Sequence, residues 1–223
     1  MFTLYPPQFI PVFKLDGNIL SSVVKYCPKD AALCQTKHPE GDAPINDWDV
    51  SDVTSMHSIF KDYNSFAEND LSKWDVSKCT SFNSMFFKAK AFNDDISTWN
   101  TAKAKDMEKL FLYAESFNGD LSKWDVSEVT NFMQMFYNAV SFTGGDLSNW
   151  DVSKCTTFNS MFYEAKTFNG DISTWNPAST NLFNSFSSML YNTPLFTQTL
   201  CGHWKTSTGD KTNMFVASNG KLC

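Results

Sequence analysis

Tryptophan falls at positions 48, 74, 99, 124, 150, 175 and 204, with successive gaps of 26, 25, 25, 26, 25 and 29 residues. A period near 25 restricts the chain to a repeat architecture, because one such unit cannot bury its own apolar face and must stack on neighbours. The clearest unit runs from Asp70 to Asp94, and further units start at Asp95, Asp120, Asp146 and Asp171, after a partial unit near Pro44. Single insertions at Asn69 and in the Gly144-Gly145 pair account for the gaps of 26. The stretches Trp74–Thr80 and Trp150–Thr156 are identical, and a distance of 76 residues also separates Cys79 from Cys155 and Trp99 from Trp175, the mark of a duplicated three-unit block.

Within a unit, Leu71, Trp74, Val76, Cys79 and Phe82 are spaced close to the leucine-rich pattern, with Trp in place of its second Leu. The L-x-x-W-x-V portion predicts a short strand centred on Trp, with Trp and Val inward and the residues between them outward. Thr80, with Thr54, Thr130 and Thr156 at the same place, is positioned to cap a helix on which Phe82, Met85, Phe86 and Ala89 recur at three- and four-residue intervals. A turn through Phe92-Asn93, carrying Gly at Gly119 and Gly170 in later units, leads to the next Asp. The expected fold class is therefore α/β: a right-handed, leucine-rich-repeat-like solenoid with parallel strands, short helices and two caps. Residues 1–43 form the expected N-terminal cap, 44–198 a six-unit solenoid about 25–30 Å long at the spacing of paired strands, and 199–223 the C-terminal cap.

The recurrent text, clearest from Phe117 to Phe136 as Phe-Asn-Gly-Asp-Leu-Ser-Lys-Trp-Asp-Val-Ser-Glu-Val-Thr-Asn-Phe-Met-Gln-Met-Phe, resembles the BspA-like leucine-rich repeats of surface proteins. The resemblance covers about Ile45 to Phe196. It implies a leucine-rich-repeat solenoid, a cell-surface or secreted setting, and adhesion or protein binding as the role. It does not imply a ligand.

Composition narrows the function. Apolar residues make up 42%, aromatics 16% and charged residues 19%, enough for a buried core. All 18 basic residues are Lys, none is Arg, and the net charge is -6, so nucleic acid finds neither a positive field nor a guanidinium fork. No apolar run approaches the ~18 residues of a membrane span, and Met1–Pro7 lacks the basic start and apolar stretch of a signal peptide. Peripheral association with a membrane complex stays open. The absence of any N-x-[ST] sequon leaves room for an organellar lumen or another assembly-bound location instead of the surface.

The six cysteines sort by position. Cys27 and Cys34 lie in the N-terminal cap and Cys201 and Cys223 in the C-terminal one, so local pairing predicts the bonds Cys27–Cys34 and Cys201–Cys223. Cys79 and Cys155 take the inward site filled elsewhere by Val53 and Val129, which makes them buried thiols; full reduction of all six is the alternative in an intracellular setting. There is no C-x-x-C, and His38, His57 and His203 lie far apart, which argues against zinc.

No G-x-S-x-G, H-E-x-x-H or phosphate loop is present, and near-identical repeats are a poor way to make one unique active site, so neither enzyme activity nor a cofactor is expected. The expected function is a noncatalytic repeat scaffold for a protein partner, as a surface adhesion module or a structural subunit of a larger assembly. The candidate partner-binding residues are the outward Lys73, Asp75, Lys123, Asp125, Asn149 and Asp151. The irregular caps are the alternative, with Tyr26, Trp204 and Phe215 as candidate exposed anchors. A second functional class is a cation- or mineral-binding array on the column Asp70, Asp95, Asp120, Asp146 and Asp171, whose structural counterpart is that each carboxylate accepts a backbone N–H at its own turn.

Overall fold

The computed structural model describes residues 46, 48–64, 70–177 and 185–223. The N-terminal cap, with Cys27, Cys34 and Tyr26, lies outside the described residues. Successive units lie side by side in parallel: bridges join Ser55 to Ser81, Ser81 to Asp106, Asp106 to Asn131 and Asn131 to Thr157. The pairing falls seven residues after each Trp and not on it, so no strand is centred on Trp74, Trp99, Trp124 or Trp150.

The expected helix after Thr80 is also absent; the segment is a run of overlapping turns. The N–H groups of Met85, Phe87 and Ala89 donate three residues back, to Phe82, Ser84 and Phe86. The alternate N–H groups, on Phe82, Ser84, Phe86 and Lys88, donate instead to the carbonyls of Asp106, Glu108, Leu110 and Leu112 in the next unit. An α-helix would spend every one of these donors on itself and leave the neighbouring unit unpaired. The turns are made possible by left-handed residues four apart, Ser84 (φ 57°) and Lys88 (φ 58°), with Lys109 and Tyr113, Gln134 and Asn138, and Ser160 and Glu164 repeating the pattern. A positive φ at the third residue of each first turn is the mark of a type II turn. Thr80 is not a helix cap either: its hydroxyl donates 3.1 Å to the carbonyl of Thr54 one unit back.

The same ladder repeats at each step and runs past residue 198, where Phe186, Ser188, Leu190 and Asn192 donate to Asp210, Thr212, Met214 and Val216. The last elements are β1 (Thr199–Leu200), α1 (His203–Thr206) and β2 (Lys221–Leu222), with β1 and β2 paired in parallel. The disulfide Cys201–Cys223, with Cα atoms 5.1 Å apart, ties the two strands together.

Apolar columns fill the interior. Phe60, Phe86, Phe111, Phe136 and Phe162 stack at 5.5, 5.6, 5.4 and 5.5 Å between ring centroids, and Phe92, Phe117, Phe142, Phe168 and Phe196 form a second file. Each such ring contributes roughly 1.5–3 kcal/mol through burial, with offset stacking adding to it. The tryptophans form a third file, buried from Trp74 onward and only partly buried at Trp48. Their indole N–H groups stitch units together: Trp99, Trp124, Trp150 and Trp175 donate to the carbonyls of Leu71, Ile96, Leu121 and Leu147. Trp204 donates likewise to Ile172 and is fully buried, so it is core and not an exposed anchor. The recurrent Asn is a second stitch, since Asn93 Oδ1 accepts from the Asn118 N–H at 2.8 Å and Asn118 Oδ1 from the Thr143 N–H at 3.0 Å. Gly144 (φ 95°) and Gly170 pass so close that a Cβ on Gly144 would lie 2.6 Å from the Gly170 Cα, which only glycine allows.

Candidate functional site

The polar columns lie on exposed turns. Lys73, Asp75, Lys123, Asp125, Asn149 and Asp151 are all exposed. The carboxylates among them are committed to their own turns: Oδ1 of Asp75, Asp125 and Asp151 accepts the backbone N–H of Ser77, Ser127 and Ser153 at 3.0, 3.0 and 2.9 Å. The unit-start column behaves the same way. Oδ1 of Asp70, Asp95, Asp120, Asp146 and Asp171 accepts the N–H of Ser72, Ser97, Ser122, Ser148 and Ser173. The Ser72 and Ser148 hydroxyls donate to the same oxygens, and these bonds hold Asp70 and Asp146 below the ordinary carboxylate range. Among the described residues no three His, Cys, Asp or Glu side chains converge as a metal site would require. Lys78 and Lys154 pair within their own column, with Asp52 and Glu128 one unit back, at 2.5 Å each. Both pairs are exposed, worth at most about 1 kcal/mol apiece.

Asp94 differs from its column. The residue before the unit-start Asp is Gly119, Gly145 or Gly170 in three other units and Asn69 in a fourth, and here it carries a carboxylate. Its Oδ2 is buried without a hydrogen-bond partner, and burial, with the nearby Asp70 charge, pushes its pKa up to about 6. Cys79 and Cys155 are free and buried in the site shared with Val53 and Val129. Their Sγ atoms lie 3.2 and 3.3 Å from the Ser81 and Thr157 carbonyls, and burial raises the thiols to about 11 and about 12.

The turn ladder carries a second surface. The residue after each Phe of the first file, and after Leu190 and Phe215 at the equivalent places, forms the column Lys61, Phe87, Leu112, Tyr137, Tyr163, Tyr191 and Val216, of which Leu112 is buried and the others are partly or fully exposed. Tyr137, Tyr163 and Tyr191 are half-buried and stacked face to face, with centroids 4.5 and 4.6 Å apart and ring planes 7° and 4° from parallel. Tyr113 joins the file at 5.6 Å from Tyr137. Burial above all, then the neighbouring Tyr113, Tyr163 and Glu164, raises Tyr137 to about 12. Glu164 beside it pairs with Lys166 and accepts from Asn192 Nδ2 at 2.8 Å; burial opposes its ionisation, but these bonds prevail and keep it charged. At the other end of the column, Lys61 and Lys88 each sit 5.1 Å from the Phe87 ring centroid. The usable signal for this column was the 25-residue recurrence of an aromatic or apolar residue directly after the inward Phe.

A family model matches the chain over residues 32–144 and again over 120–221; that family is described as a Mycoplasma protein of unknown function. No curated protein and no solved structure matches the chain.

Proposed function

The chain belongs to the DUF285 family, and from that premise we propose a noncatalytic repeat scaffold that binds a protein partner, in the manner of the BspA-like surface proteins its repeats resemble. In this reading the stack is a right-handed, leucine-rich-repeat-like solenoid held at a cell surface or in a larger assembly, and its work is to present a long regular surface. The observation that carries it is the stack Tyr137–Tyr163–Tyr191, aromatic rings kept half-exposed at 4.5 and 4.6 Å when, among the described residues, the Phe and Trp files are turned inward. Rigid aromatic anchors with polar neighbours are the composition of interface centres. The Lys73, Lys123 and Asn149 column supplies a second, purely polar face, where contacts add specificity more than affinity. The test is affinity capture from the native source with three baits: the unaltered chain, Tyr137→Ser with Tyr163→Ser, and Lys73→Glu with Lys123→Glu and Asn149→Glu. Loss of a specific partner with the tyrosine bait alone supports this assignment. Undiminished capture there, with loss on the lysine bait, moves the binding face to the polar columns.

A further inference from the structure

The tyrosine ridge has a spacing that few partners match. Tyr137, Tyr163 and Tyr191 recur at 4.5 and 4.6 Å along the stack, close to the ~4.8 Å between paired strands. Side chains on one face of an extended peptide recur every ~6.7 Å, and those on one edge of a polyproline helix every ~9 Å. Neither stays in step with the rings beyond a single contact, whereas another stack of parallel units does. Charge on the same face is arranged along the stack. The N–H groups of Asp62, Lys88, Tyr113, Asn138, Glu164 and Asn192 donate to the carbonyls of Phe87, Leu112, Tyr137, Tyr163, Tyr191 and Val216, so a second column runs beside the ridge. Lys61 and Lys88 stand exposed at one end, each 5.1 Å from the Phe87 ring centroid, and among the described residues neither forms an ion pair. Glu164 lies three units further on, beside Tyr137 and Tyr163.

We propose that the ridge packs against the ridge of a second copy of this chain, the two stacks lying antiparallel; this rests on the ridge being the binding face. A two-fold axis that crosses the ridge between the units of Leu112 and Tyr137 sets Phe87 on Tyr163 of the second copy and Lys61 on its Tyr191. In the adjoining column the same axis sets Lys88 on Glu164, and symmetry makes each contact occur twice. Lys61 then meets an aromatic ring and Lys88 a carboxylate. A parallel pair would instead lay Lys61 and Lys88 on their own counterparts, like charge on like. Approach by a second copy is also least opposed on this face. The columns Asp70, Asp95, Asp120, Asp146, Asp171 and Asp75, Asp125, Asp151 lie on other turns of the unit, while here Lys61, Lys88 and Lys109 balance Asp62, Glu108 and Glu164 in a chain of net charge -6.

The experiment is sedimentation equilibrium on the full chain, with two charge variants measured singly and mixed. The parent chain should form a concentration-dependent dimer. Lys88→Glu alone and Glu164→Lys alone should each weaken it by about tenfold or more, because each sets like charges across both copies of the contact. An equimolar mixture of the two variants should recover a heterodimer close to parental affinity, with one contact restored in reversed sense and the other untouched. Recovery on mixing also shows that neither variant has lost its fold, which circular dichroism checks independently. A parent chain that stays monomeric at every soluble concentration overturns the proposal, as does a dimer indifferent to both variants or not recovered on mixing. A monomeric parent chain, combined with loss of a different protein from the tyrosine bait, would remove the second copy as the occupant and keep the ridge as the binding face.

Discussion

The indole N–H of Trp124 lies 3.0 Å from the carbonyl of Ile96 in the preceding unit, and both groups are shut off from water. The pair explains why the repeat uses Trp where a leucine-rich pattern uses Leu. A Leu would leave part of the space empty and the carbonyl 28 residues back without a donor. Trp124→Phe keeps an aromatic ring and removes the donor, so the orphaned carbonyl and the lost ring volume together cost about 2–4 kcal/mol. Urea denaturation should show a lower midpoint at an unchanged m-value. A cost below about 0.5 kcal/mol would mean that the bond is incidental.

Asp94 gives the fold a pH dependence of unusual sign. Its pKa stands near 6 against an ordinary 3.8, because burial penalises the charged form. A raised carboxylate pKa means that its contribution is most favourable below about 4, where the group is protonated folded and unfolded alike, and is lost as pH rises through 6. Asp94→Asn should therefore stabilise the protein at pH 7.5, on the order of 1–2 kcal/mol once partial exposure is allowed for, and leave it unchanged near pH 3.5. Thermal melts at the two pH values check this; an equal gain at both would exclude the desolvated carboxylate as the cause.

The period, the inward Trp and Phe columns and the burial of Cys79 and Cys155 were legible because burial follows directly from apolar recurrence. The local backbone was not. Phe82, Met85, Phe86 and Ala89 have helical spacing, yet the same spacing suits overlapping turns whose alternate N–H groups reach the next unit. Periodicity within one unit cannot distinguish these, since the choice is made by hydrogen bonds between units. The Asp and Ser columns were correctly placed at the surface, and their Asx turns were foreseeable from the Asp-x-Ser spacing. The tyrosine ridge was overlooked for the same reason as the turns.

Cys79 and Cys155 should behave as small apolar residues. With thiols raised to about 11 and about 12, neither presents thiolate at pH 8. Labelling by an aromatic disulfide reagent should be negligible in the folded chain and prompt on denaturation. Because Val53 and Val129 occupy the same buried site, Cys79→Val and Cys155→Val should each change stability by less than about 1 kcal/mol. Rapid labelling of the native protein at either residue would contradict the burial.

Gln134 tests the left-handed turns. Its φ of 57° places an ordinary side chain where L-residues are strained, and its N–H is held by the carbonyl of Asn159 in the next unit. Strain in this region costs roughly 1–2 kcal/mol, partly offset on substitution by the backbone entropy that glycine loses on folding. Gln134→Gly should accordingly raise stability by about 0.5–1 kcal/mol, and Gln134→Val, whose branched Cβ crowds the backbone further, should lower it by at least about 1 kcal/mol. A helix at this position would reverse the first of these signs, because glycine in a helix interior costs about 1 kcal/mol against ordinary residues. Urea midpoints for the two variants, measured against the parent chain, therefore decide between turn and helix. Stabilisation by Gly with destabilisation by Val is the signature of the turn, and destabilisation by both would restore the helix.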